Sequence, residues 1–359
     1  MTATTDQLRA EPDSPHRSAS ACLTGAGEEG LRHAGDLASL MDIGQRRWTD
    51  ALLSETRAHL AGCLNAVELA LGLQMSPSWL AKPVDALGPN YCRDAIEQSP
   101  GILTPLLLGQ LRHRAAAALM LRMALGAPAV TIQTLPDTAE PADQAVGDAL
   151  AALRLSLDPW YDPHPVDRPM RADLPAEPLC DLVWIAAALL VDGLATRMGV
   201  DCATASPVVG RAAQAVIARH DEQTGAFARA AYVATILRDS AEADRQATHA
   251  ALHRNLLLVA AIGARRCGMT LDLALALLID GSREERAAFA RLLNLSADAY
   301  VALLTGLGPV HDDASDSILP DIVERYRHLT PDMASLALAR WCGPEPLVAK
   351  LARIDRSRP

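Results

Sequence analysis

Aromatic residues fill only 3% of the 359 positions, as 2 Phe, 5 Tyr and 5 Trp. A core built on β-sheet draws on aromatic and β-branched side chains. Their scarcity, beside abundant Ala and Leu, points instead to close-packed helices. No segment alternates polar and apolar residues with period two; the β-branched trio Val130, Thr131 and Ile132 is bracketed too tightly by Pro128 and Pro136 to form part of a sheet. Lysine is scarcer still, at Lys82 and Lys350 alone. The formal net charge is −10 and no Lys/Arg run exceeds two residues, so the chain lacks the concentrated basic surface that neutralises phosphates, and a nucleic-acid partner is not expected.

The strongest apolar run, Leu182 to Val191, is flanked by Asp181 and Asp192 and is half the length of a bilayer span, so no membrane-crossing helix is expected. Cys22, Cys63, Cys92, Cys180, Cys202, Cys267 and Cys342 are odd in number and widely spaced, with no C-x-x-C pair and no secretory leader ahead of them. They read as free thiols, mostly small core residues, in a reducing cytoplasm. The phosphate loop, the dinucleotide glycine fingerprint, the G-x-S-x-G elbow and the H-E-x-x-H zinc motif are all missing. Half of the chain is hydrophobic, ample for a substantial core.

Residues 1–30 mix Thr, Ser, Pro, Gly and charges without periodicity and read as a disordered leader. A helical stripe follows at Leu52, Leu53, Leu60, Leu64, Val67 and Leu71; further helices are expected from Leu103 to Leu125 and from Asp143 to Leu157. Six prolines between positions 158 and 178 (Pro159, Pro163, Pro165, Pro169, Pro175 and Pro178) forbid regular helix. They mark a linker between an N-terminal helical region, 31–157, and a C-terminal one, 179–359. In that linker Trp160 and Tyr161 offer the apolar area to anchor it.

Beyond the linker the helix punctuation is dense. Ser206-Pro207 and Thr330-Pro331 each place a capping hydroxyl before a first-turn proline, and Ser282 with Glu285 fits a capping box behind Gly281. Thr270, Ser282 and Ser296 therefore open three successive short helices. Such helices are marginal alone and need stacked neighbours. A weak echo, Ala276-Leu277-Leu278 with Gly281 and Ala302-Leu303-Leu304 with Gly306, agrees with stacked helical hairpins.

Three constellations are candidates for chemistry. Asp312, Asp313 and Asp316 form a D-D-x-x-D pattern, hard oxygen donors of the kind that hold Mg²⁺ against a diphosphate in all-helical isoprenoid synthases. Gly308-Pro309 before it and Pro320 after it place the run in a loop, without a second acidic motif to face it. His249 and His253, at i and i+4, share one helix face at a spacing that suits a metal; Glu242 lies too far along the axis to join them. The leucine stripe beside them equally fits the rim of a buried face. His220-Asp221 matches the central dipeptide of helical metal-dependent phosphohydrolases, and equally a helix end followed by a new helix start.

Several segments together resemble an all-helical domain-of-unknown-function family of alphaproteobacteria with HEAT-like repeats. Arg171 to Glu177, followed by Leu182-Val183-Trp184 and Ala186 to Leu189, is similar to its linker-to-helix junction; His253 through Gly281, Phe289-Ala290 and Leu303-Leu304 is similar to its C-terminal part. Arg57 to Ala61 and Gln98-Ser99-Pro100 with Leu103 to Leu108 resemble its N-terminal half, which departs most around Val84 to Asp94. The resemblance implies a stack of short helices and carries no catalytic residue or cofactor.

The sequence therefore reads as an all-α, α-solenoid-like, HEAT-like protein in two halves. Its expected role is non-enzymatic binding of a protein partner, with homo-oligomerisation possible and no cofactor implied. The alternatives are a metal-dependent helical enzyme using the Asp312, Asp313 and Asp316 cluster, and a small-ligand sensor with a pocket between the halves.

Overall fold

The computed structural model describes residues 33–37, 40, 48–126, 144–165, 167–238, 240–311, 319–339 and 341. Among them the fold is all-α, with no strand. Its elements are α1 (Asp50–Met75), α2 (Ala81–Leu87), α3 (Tyr91–Ile96), α4 (Pro105–Gly126), α5 (Gln144–Leu157), α6 (Ala176–Met198), α7 (Cys202–Ala218), α8 (Ala226–Leu237), α9 (Ala241–Leu252), α10 (Leu256–Cys267), α11 (Leu271–Asp280), α12 (Arg283–Leu292), α13 (Ala297–Gly306), α14 (Leu319–His328) and α15 (Pro331–Leu338). The leader, 1–30, lies outside the described residues.

Four of the capping hydroxyls expected of the C-terminal region act as read. Thr270, Ser282, Ser296 and Thr330 each accept a backbone N–H of the first turn through the side-chain hydroxyl, and Ser282 and Glu285 complete a reciprocal capping box. Ser206-Pro207 does not start a helix. Asp201 caps α7 one turn earlier by accepting from Thr204 N, which leaves Pro207 inside the helix and Ser206 hydrogen-bonded back to the Cys202 carbonyl.

The helices before and after residues 158–178 pack on one another. The buried side chains form one continuous cluster to which both sides contribute. The long helices α1 and α4, from before the prolines, are its centre: α1 packs on α4, α6 and α7, while α4 reaches α10, α11 and α13. The physical reason is geometric, because short helices such as α11 and α13 cannot bury their apolar faces on one another alone, and the two long helices supply the missing wall.

The apolar run at Leu182 also proves longer as a helix than as a run. At 23 residues α6 is, among the described residues, the one helix long and apolar enough to cross a membrane. Its buried side packs against α1, α2, α3 and α7.

Candidate functional site

The Pro-rich segment is docked on the helices, and its anchors build the most polar part of the interior. Asp158–Trp160 forms one turn of 3₁₀ helix, which drops the Trp160 indole into the core at 2% exposure. There it meets the His59 ring edge-on at 6.3 Å and the Phe227 ring at 6.2 Å. The Arg114 guanidinium lies over it at 5.1 Å. Further along, Met170 N donates to the Gly62 carbonyl across 2.8 Å. Only glycine allows that crossing, since a Cβ at position 62 would stand 2.6 Å from the Met170 Cβ.

Around Trp160 runs a buried chain of charges. Arg114, 1% exposed and carried by the alanine-rich middle of α4, pairs with Asp173 and donates to the Arg171 carbonyl at 2.8 Å. On α1, Glu55 pairs with Arg122 and accepts from His59 Nε2 at 2.8 Å. Burial pulls the His59 pKa down to about 4, aided by the Arg114 charge and opposed by Glu55, so the imidazole is neutral at pH 7 and its contact with Glu55 is a hydrogen bond between neutral donor and anion. Burial would raise the Glu55 pKa, but the His59 hydrogen bond and Arg122 outweigh it and hold it below the usual carboxylate range.

The chain ends at a cavity of about 220 Å³ on the face where the Pro-rich segment meets α8 and α11. Asp173, Glu222, Asp272 and Phe227 are among its lining residues. Asp272 accepts from Gln110 Nε2, and His113 Nδ1 lies 3.9 Å away. Burial would raise the Asp272 pKa, yet His113 and Gln110 together keep it lowered. Glu222 accepts from Ala176 N and so holds the start of α6 against the same rim.

A larger opening, about 450 Å³, runs along the outer side of the α6–α7 hairpin. Trp184, Ala188 and Asp192 stand at i, i+4 and i+8 on α6; Cys202, Ser206 and Gly210 repeat that spacing on α7. Ala187 and Val209 form the floor. The indole of Trp184 is 42% exposed, an unusual position for so large an apolar group on a helix whose other side is buried. A Cβ built on Gly210 meets nothing within 4 Å, so the space above α7 is open.

The residues singled out in the sequence are not gathered at either opening. Asp312, Asp313 and Asp316 lie outside the described residues. His220 follows the end of α7, and its Nε2 sits 2.9 Å from the Leu174 carbonyl, while Asp221 caps the short 3₁₀ turn Glu222–Thr224, so this dipeptide joins the Pro-rich segment to α8. His249 and His253 do share a face, with ring centroids 4.1 Å apart. Among the described residues no group of three or more His, Cys, Asp or Glu side chains is placed to hold a metal. Cys63, Cys92, Cys180 and Cys202 are free thiols, and Cys202 is exposed at the groove.

Sequence reasoning anticipated Trp160 as an anchor but missed its partners. The available signal was Glu55 and His59 at i and i+4 within an apolar stripe, and Arg114 set directly before four alanines, where a charge has no reason to sit unless it is paired. No protein-family model, no curated protein and no solved structure matches this chain.

Proposed function

We propose that this chain is a helical binding protein that acts by recognition rather than catalysis, holding an amphipathic helix of a partner protein in the groove between α6 and α7. The groove itself carries the reading. Its floor is apolar and made of small residues, its rim presents a half-exposed indole, and its one charge is Asp192. A helix that presents two or three apolar side chains and one basic residue is complementary to that surface.

A HEAT-like arrangement of the C-terminal helices belongs to the same reading. The turns that follow α9 and α12 have the same form: Arg254 and Asn294 adopt φ of 56° and 54°, and the next residue donates back in each case, Asn255 N to Ala250 O and Leu295 N to Ala290 O. Such recurrence supports a stack of helical hairpins, whose extended surfaces suit recognition.

The test is a photocrosslinking residue placed at Trp184, with the exposed Leu155 as control position. The expected result is a discrete adduct from position 184 and none from 155, abolished by Gly210→Leu, which fills the groove from a site where added side-chain atoms meet no neighbour. An adduct of twice the chain's own mass identifies a second copy as the occupant. Equal labelling from both positions, or insensitivity to Gly210→Leu, defeats the reading.

Small-ligand sensing is a second reading, favoured by the cavity beneath Asp173 and Asp272, where the Pro-rich segment, α8 and α11 converge. A primary amine small enough for about 220 Å³ that raises the melting temperature, and no longer does so in Asp272→Asn, is the result expected from it.

A further inference from the structure

The two arginines nearest His59 are also the ones that hold the Pro-rich segment. Arg122 pairs with Glu55 and donates to the Asp162 carbonyl at 3.3 Å; Arg114 pairs with Asp173 and donates to the Arg171 carbonyl at 2.8 Å. Among the described residues, the one backbone hydrogen bond from the segment to α1 or α4 is that of Met170 N to the Gly62 carbonyl. The His59 imidazole lies amid these contacts, 1% exposed, with Nε2 on Glu55 at 2.8 Å and its ring edge-on to Trp160.

Charge is balanced there only while that imidazole is neutral, because two guanidinia face two carboxylates, Glu55 and Asp173. A proton added at Nδ1 makes a third cation, and that nitrogen is buried without a hydrogen-bond partner among the described residues. The helices α2, α3, α6 and α7 also pack on α1, yet among the described residues they give the ring no ion pair and no hydrogen bond. His164, which stands against Gly62, and His220, at the far end of the segment, are placed differently. Each sets Nε2 against a carbonyl, of Arg168 at 2.7 Å and of Leu174 at 2.9 Å, a bond that a protonated ring keeps.

We propose that His59 is the trigger of an acid-released latch: a proton on its imidazole frees the Pro-rich segment from α1 and α4 while the C-terminal stack stays folded. Withdrawal of the Trp160 indole opens the ring to water, where it takes up its proton at the ordinary pKa near 6.5. In the closed form burial, opposed by Glu55 and aided by Arg114 and Arg122, keeps it neutral down to about pH 4. The open form therefore binds the extra proton. Closure is fully favoured above pH 6.5 and loses ground as the pH falls to 4. The stack is spared because its caps at Thr270, Ser282 and Ser296 are hydroxyls, which do not titrate in this range. Release also takes Asp173 and Pro175 from the wall of the cavity of about 220 Å³, so acid opens that cavity as well. The latch is independent of the α6–α7 groove.

The experiment is hydrogen exchange of the full chain by NMR between pH 7 and 4.5, corrected for the intrinsic rate at each pH. It is read at the Met170 amide, whose bond to Gly62 breaks on release, with interior amides of α12 and α13 as reference. Expected is a loss of protection of about twentyfold at Met170 from pH 7 to 5, with α12 and α13 unchanged. Below pH 6 the logarithm of the opening constant should rise by about one per pH unit, the mark of a single titrating group, and this reading needs no variant. His59→Gln, which can still donate to Glu55 but takes up no proton, should flatten that slope, whereas His164→Gln and His220→Gln should leave it in place. A flat response at Met170, an equal loss in α12 and α13, an undiminished slope in His59→Gln, or a slope abolished by either of the other two variants would overturn the proposal.

Discussion

The Pro-rich segment 158–178 and the C-terminal run from α9 to α13 are held in place by opposite means. In the run each helix is stopped and started locally: Ser282, Ser296 and Thr270 satisfy the first-turn N–H groups, Gly268 takes up the left-handed cap after α10, and packing then adds burial. Local rules suffice because every cap and its target lie within four residues. The Pro-rich segment has no local hydrogen-bond ladder, so its stability is borrowed from distant groups: Arg114 from α4, His59 and Gly62 from α1, Phe227 from α8. Its fate rests on few contacts of large individual consequence, whereas that of the run is spread over many small ones.

Breaking the central pair separates the two cases most sharply. Arg114→Ala leaves Asp173 buried without its counter-ion and should cost about 3–5 kcal/mol in urea unfolding, while the joint change Arg114→Met with Asp173→Leu should recover most of the loss. A recovery of nothing would mean that the pair fixes the segment's path as well as its charge.

Acid should loosen the same region next. The folded His59 pKa is about 4 against an ordinary 6.5, so the folded state holds fewer protons than the unfolded chain across that window. A depressed pKa means that stability is fully present above pH 6.5 and is lost as the pH falls to 4, with a limit of about 3 kcal/mol. Glu55 and Asp272, both lowered, extend the loss to still lower pH. Calorimetry of His59→Gln against the parent from pH 7 to 4 should show the parent's slope flattened in the variant.

In the C-terminal run the largest single effect should come from packing. A Cβ at Gly263 would stand 2.0 Å from the Phe289 ring, both fully inside the stack. Gly263→Ala is therefore expected to destabilise by about 1–3 kcal/mol despite the better helix propensity of alanine. Ser282→Ala, which removes half of a capping box, should cost only about 1 kcal/mol. Hydrogen exchange gives the sharpest form of the comparison: Ser282→Ala should raise exchange in α12 alone, while Arg114→Ala should release residues 160–175 together with their contacts on α1 and α4.

Much of the fold was readable because its determinants are local. The stripe from Leu52 to Leu71 became α1, the stretch from Leu103 became α4, and four of the capping hydroxyls stand where the spacing put them. The Ser206-Pro207 reading failed because an equally good cap, Asp201, sat one turn upstream; the helix starts at Cys202 and accommodates Pro207 in its second turn at the cost of one backbone hydrogen bond. The candidate site was far less legible. Trp184 reads in the sequence as one more member of an apolar run, and only the packing of α1, α2 and α3 on the other sides of α6 leaves it outward.

The sequence by itself determined the helical class, four of the helix starts beyond the prolines and the likeness of Trp160 to an anchor, since periodicity, caps and proline geometry act over a few residues. Tertiary structure alone decided that both sides of the prolines share one core, that Arg114 finds Asp173 across 59 positions of chain, and that Trp160 meets His59 and Phe227. Those outcomes are set by the meeting of surfaces from separate helices, and no local pattern encodes which surfaces will meet.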